Sequence, residues 1–276
     1  ENLRLAFPEK DAAWHLDIYK KMLQNMGGVL SEFARLTDPK RSKELLFELK
    51  NAKWIPETHA LGRGGFLLSA HFGNWEGMGA IGADMGVPIT VLGARQRNPL
   101  VEKMFSEYRA SLGVEAITVR SGMRPLVQAL KQGRLVTTLA DQDGGRDGIF
   151  LDFFGRKASV QAGVFRLAAR LQAPILVGFS TRVDEGWSGY LHPPLMPREA
   201  QGPEALEKEA TRLAREYTQL VEQAVSAPPA HWFLVHRRWK TRPKNQPETQ
   251  EKARISGARA SAKNLLQPPP QTSDNP

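Results

Sequence analysis

The chain contains no cysteine. That excludes disulfides, thiolate nucleophiles and cysteine-ligated zinc or iron–sulfur centres, and it leaves the redox compartment open. No uninterrupted apolar run reaches the roughly 18 to 20 residues that a spanning helix needs, and no signal-peptide pattern stands out. A G-x-S-x-G elbow, the mark of a serine nucleophile in an α/β hydrolase, is also missing. Acidic residues are in short supply, 29 Asp and Glu against 38 Lys and Arg, for a net charge of +9. Such a surplus suits a polyanionic partner: nucleic acid, an anionic membrane surface or an acidic carrier protein. Composition does not rank the three.

What is present is the material of a folded core. The 276 residues are 41% hydrophobic and show no internal repeat, which suits one α/β domain. Residues 9–36 and 41–50 read as helices, the first broken near Gly27 and Gly28, and together they make an N-terminal helical segment over 1–60. From 61 to 243 strand and helix patterns alternate. Apolar runs at 64–70, 87–94, 114–119 and 134–140 read as strands, with helices expected over 74–86, 98–113 and 123–133 between them. A short apolar piece at 149–155, a helix over 160–173, a strand over 173–183 and a long helix over 205–225 follow. This rhythm argues for a mainly parallel central sheet flanked by helices. Beyond about Pro243 the composition turns polar and proline-rich, so 244–276 is expected to be a disordered tail.

The chemistry gathers at the ends of these strands. "FLLSAHFGNWEGMG" places His71 directly after an apolar run and Glu76 five positions later. On one continuous helix the two would lie about 140° apart and share no face. If His71 instead ends a strand and Glu76 opens a helix, "FGNW" can fold the carboxylate back onto the imidazole. Reactive groups of open parallel sheets sit at such carboxyl ends, and a carboxylate on one ring nitrogen raises the basicity of the other. The plainer reading is a half-buried histidine satisfied by a glutamate that favours a helix N-terminus anyway. "LADQDGG" brings Asp141 and Asp143 to the end of another strand. A calcium loop fails because Gly145 and Arg146 stand where it needs an oxygen ligand and then a glycine. A D-x-D metal site of a glycosyltransferase and a simple polar turn both fit. Finally, "HWFLVHRRWKTRP" combines tryptophans with Arg237, Arg238, Lys240 and Arg242. It suits an anionic lipid surface or a closing element of the fold. Its aromatics alternate too poorly with the bases for nucleic acid.

In their order, "GFLLSAHFGNWE", "NPLVEKMFSEYRASLG", "ADQDGGRDGIFLDFFGRKASVQAG" and "HWFLVHRRWKTRP" resemble the bacterial lipid A biosynthesis acyltransferases, over roughly Asn2 to Pro243. The resemblance implies a single domain of the glycerolipid acyltransferase kind, spanning 1–243. It implies transfer of a fatty acyl chain from an acyl carrier protein thioester to a hydroxyl of a lipid A precursor, at the cytoplasmic face of the bacterial inner membrane. Relatives with the same motif acylate other glycolipids such as phosphatidylinositol mannosides. Carried onto this sequence, the family's H-x4-D/E dyad falls on His71 and Glu76. Its functional arginine and aspartate fall on Arg109 and Asp141, in substrate binding or oxyanion stabilisation. Asn74, Arg237, Arg238 and Lys240 are candidate contacts to lipid or phosphate. Neither a cofactor nor a metal is implied. Members of the family carry an N-terminal membrane helix, and no stretch of this chain has that character.

Overall fold

A computed structural model describes residues 1–36, 47–78, 85–111, 113–184 and 186–244. Its compact body spans Glu1–Thr241, and of the remaining stretch only 242–244 are described. The tail expected over 244–276 therefore lies almost wholly outside the described residues.

A short helix α1 (Asn2–Ala6) precedes the long α2 (Ala12–Leu36). Strand β1 (Phe47–Lys50), α3 (Trp54–His59) and β2 (Gly65–Ser69) follow. Next come β3 (Ile89–Gly93), α4 (Pro99–Ser111), β4 (Glu115–Thr118), α5 (Met123–Lys131) and β5 (Leu135–Leu139). The hairpin β6 (Ile149–Phe153) and β7 (Arg156–Val160) leads to α6 (Ala162–Leu171), β8 (Ile175–Val183), β9 (Gly186–Leu191) and α7 (Pro203–Ser226). The main sheet runs β1-β9-β8-β2-β5-β3-β4, and β6–β7 stand apart as an antiparallel pair. Every pairing in the main sheet is parallel except β8 with β9.

Strand β2 is central and buried on both faces, which is why it reads as a continuous apolar run rather than an alternation. Phe66 and Leu68 join one hydrophobic cluster with α6 and α7, while Leu67 joins a second with Ile89 and Leu135. Each fully buried side chain of this kind contributes about 1.5–3 kcal/mol. The Tyr217 hydroxyl of α7 donates to the Ser69 carbonyl at 2.7 Å, pinning the carboxyl end of β2 from below.

Three local expectations change. Helix α2 runs through Gly27 and Gly28 without a break. Glycine costs a helix roughly 1 kcal/mol, but the burial of Met22 and Val29 on either side holds the helix in place. Gly28 also allows a close approach, since a Cβ there would meet Arg182, whose Nη1 pairs with Glu32 at 2.7 Å. Second, the helix expected over 41–50 gives way to β1 at its end, where Phe47–Lys50 completes the sheet beside β9, while 41–46 lie outside the described residues. Third, the helix expected over 160–173 begins only at Ala162, because Val160 closes β7, whose pairing with β6 satisfies its backbone. Of the helix expected over 74–86, residues 75–78 are helical and 79–84 lie outside the described set.

Candidate active site

The order of the strands builds the site. Strands β2 and β5 are parallel neighbours with Ser69 opposite Leu139, so His71 and Asp141 leave the same edge side by side, two residues beyond that pair. The Ala140 amide donates to the Ser69 carbonyl at 3.2 Å and holds the level. His71 Nδ1 then meets Asp141 Oδ1 at 2.8 Å.

A carboxylate only accepts, so the shared proton sits on Nδ1 and the Nε2 lone pair faces outward. The Gln142 amide nitrogen lies 3.4 Å from that Nε2. Asp141 Oδ2 accepts from the Trp232 indole at 3.0 Å. The His71 side chain is 23% exposed and that of Asp141 only 3%, so a substrate can reach the ring while the carboxylate stays shielded.

The electrostatics agree with the geometry. Burial alone would lower the His71 pKa, but the charge and hydrogen bond of Asp141, helped by the charge of Glu76, leave it above the ordinary histidine value. Burial alone would raise Asp141. The charge and hydrogen bond of His71, together with the Trp232 bond, hold it below the usual carboxylate value.

Glu76 is not the ring's hydrogen-bond partner, contrary to expectation. Its Oε1 lies 3.4 Å from Nη2 of Arg109, which projects from the last turn of α4. Burial raises the Glu76 pKa and outweighs the lowering by Arg109. The physical reason for the exchange is reach. Glu76 sits within the helical turn 75–78 that leads away from β2, while Asp141 arrives from the adjacent strand at the level of His71. Glu76 still acts on the ring through its charge. Arg109 stacks over Phe105 at 5.1 Å from its ring centre.

The loop between His71 and Glu76 is clamped from the C-terminal side. The Gly73 amide donates to the His231 carbonyl at 2.9 Å, and the Phe233 amide donates to the His71 carbonyl at 2.7 Å. Residues 231–233 thus run beside the H-F-G turn as a short antiparallel strap, with Phe72 paired to Trp232. Gly73 has a φ of +61° and lies so close to the Ser180 backbone that no side chain fits.

Asn74 is buried and fully engaged, so the lipid contact expected of it is corrected to a structural role. Its Oδ1 caps the helical turn by accepting from the Gly77 amide at 2.9 Å, and its Nδ2 donates to Glu32 of α2 at 3.2 Å. Arg238 is likewise buried rather than offered to a phosphate. Its guanidinium lies over Phe153 at 5.1 Å and donates to the Ser159 carbonyl. Arg237 and Lys240 are exposed.

The two carboxylates of the D-x-D sequence do not converge. Asp141 faces His71 and Trp232, whereas Asp143 accepts from the Thr241 hydroxyl at 2.7 Å and the Thr241 amide at 3.1 Å. Their committed oxygens do not fit a shared metal ion; Asp141 instead ties the strap, and Asp143 ties Thr241 beyond it, to the chain leaving β5. Gln142 and Trp232 escape a reading by motif. One is the unremarked middle of D-Q-D, and the other acts through an indole nitrogen whose target lies 91 residues away.

A parallel α/β sheet that presents a histidine–aspartate pair at the carboxyl ends of two adjacent central strands is the class that fold and site define. The match of residues 1–241 to bacterial lipid A biosynthesis acyltransferases places the chain in that family, to which it belongs. A phosphatidylinositol mannoside acyltransferase of Mycolicibacterium smegmatis is 26% identical over 64% of this chain and 57% of its own length, so the chain spans little more than half of that relative. The lipid A biosynthesis lauroyltransferase of Escherichia coli is 27% identical over 89% of this chain and 79% of its own. The solved 1-acyl-sn-glycerophosphate acyltransferase of Thermotoga maritima overlays 64% of this chain and 72% of its own at a TM-score of 0.36 and 13% identity, a likeness too slight to bear on the site.

Proposed function

We propose that the protein is an O-acyltransferase that moves a fatty acyl chain from an acyl carrier protein thioester to a hydroxyl of a lipid A precursor, at the cytoplasmic face of the inner membrane. The observation that carries the reading is the 2.8 Å bond from His71 Nδ1 to Asp141 at the open edge of the sheet. It fixes the tautomer and leaves Nε2 as the base.

In this reading the acceptor hydroxyl displaces Gln142 from Nε2 and gives its proton to His71 as its oxygen attacks the thioester carbonyl carbon. Asp141 stabilises the imidazolium that forms. Arg109, steadied by Glu76, meets the negative charge on the tetrahedral oxygen or a phosphate of the acceptor. When the C–S bond breaks, the proton on Nε2 passes to the leaving thiolate. No covalent acyl-enzyme is needed. The charge surplus of +9 supports an acidic carrier as donor.

A second reading keeps the chemistry and changes the acceptor to a phosphatidylinositol mannoside, and the similarity to the mycobacterial enzyme favours it. The test is acyl transfer from carrier-protein thioesters to both acceptors by the intact protein and His71→Ala. Transfer to the lipid A precursor that disappears in His71→Ala supports the first reading. Transfer confined to the mannoside replaces it with the second, and transfer that survives in His71→Ala overturns both.

A further inference from the structure

Helix α2 carries two apolar arcs, of which, among the described residues, one is buried and the other exposed. Ile18, Met22 and Val29 are buried. On that side the Leu234 amide reaches Met22 Sδ at 3.3 Å, Asn25 donates to the Ala230 carbonyl at 3.1 Å, and Glu32 accepts from Trp187 at 2.8 Å. The helix is therefore fixed in rotation about its axis.

The second arc consists of Leu16 (54% exposed), Tyr19 (46%), Leu23 (45%) and Leu30 (57%). At about 100° per residue these four fall within an arc of about 60°, on a line along the helix. Met26 lies between the two arcs. It joins Met22, Val29, Trp75 and Phe233 around a small crevice, and the Trp75 ring packs against His71 with centres 5.4 Å apart. A run of apolar side chains, with Asn25, Gly73 and His231 beside it in the crevice, thus leads from the exposed line on α2 to the histidine. Val235 (59% exposed), directly after Leu234, extends it beside the helix.

From this run we infer that the outer arc of α2 is the face on which the protein rests on a lipid surface, with Leu16, Tyr19, Leu23 and Leu30 in the boundary between headgroups and acyl chains. The inference rests on the reading of the substrate as a lipid. An amphipathic helix lying in the interface plane needs an apolar arc with cations beside it, and exposed Lys20 borders this one. A second copy of the chain is the weaker occupant. Leu16, Leu23 and Leu30 stand seven apart, yet two heptads are short for a coiled coil. Four half-exposed side chains also fall far below the roughly 800 Å² per partner that a stable interface buries. The arrangement would let an amphipathic substrate slide from the lipid layer along Met26 towards His71.

The test is flotation of the full chain with vesicles of phosphatidylcholine containing phosphatidylglycerol, comparing Leu16→Glu/Leu23→Glu with Leu61→Glu, an exposed leucine off the helix. Circular dichroism checks that each variant is folded. The double α2 variant is expected to bind at least about tenfold more weakly and Leu61→Glu to bind as before. Equal binding by all three overturns the inference, as does a dimer in lipid-free solution that the double variant dissolves. His71→Ala is expected to float like the parent. A parent that floats through α2 but transfers no acyl chain to any lipid leaves this inference standing and removes the catalytic reading. Transfer without α2-dependent flotation does the reverse.

Discussion

Asp141 is buried and Glu76 half-buried, both carboxylates lie within electrostatic reach of His71, and they do different things to it. Asp141 is bonded to the ring and held below its usual pKa, so it stays ionised wherever the protein is folded near neutrality. Glu76 is bonded to Arg109 and raised by burial. Asp141→Asn is expected to reduce kcat/KM by about 10²–10⁴-fold, the range for loss of a positioned acid–base group, measured with saturating donor. Glu76→Gln is expected to cost less, because the Nδ1 bond survives. The pH dependence has a definite sign. His71 must be neutral to take a proton, so kcat/KM rises with pH through a midpoint above the ordinary histidine value. In Asp141→Asn, where the charge that raises this midpoint is gone, it moves to lower pH. A pH–rate profile of both proteins reads the shift, and a midpoint that stays put contradicts the assignment.

At the scale of elements, the strap and the turn it clamps hold the site. Gly73→Ala forces a side chain into the Ser180 backbone at a positive φ, and denaturant unfolding is expected to show a loss of about 2–4 kcal/mol. Trp232→Phe keeps an aromatic ring beside Phe153 but removes the donor to Asp141. Loss of one buried hydrogen bond costs about 1–3 kcal/mol, and activity is expected to fall by up to about tenfold, with the purified variant remaining folded. Element by element, much of this was legible. The apolar run before His71 marks β2, and the alternation to Asp141 marks the strands and helices between them. The strand order was not. Nothing in local periodicity says that β5 rather than β3 inserts beside β2, and that choice turns the partner of His71 from a residue five positions away into one 70 positions away. The hairpin at β6 and β7 was half legible for the same reason, since "RKASV" becomes a strand only by pairing.

At the scale of the whole molecule, the chain belongs to the lipid A biosynthesis acyltransferases, and the +9 charge bears on the donor proposed for it. If an acidic carrier protein delivers the acyl chain, added salt should raise KM for the carrier thioester several-fold between low and physiological ionic strength while kcat changes little, because screening acts on encounter. The most direct test of the account is the rate of acyl transfer from a carrier-protein thioester to the glycolipid acceptor, measured side by side in the parent, His71→Ala, Asp141→Asn and Glu76→Gln. The account predicts near-complete loss in His71→Ala, a loss in Asp141→Asn that approaches it, and a smaller loss in Glu76→Gln. Full activity in Asp141→Asn alongside collapse in Glu76→Gln would contradict it.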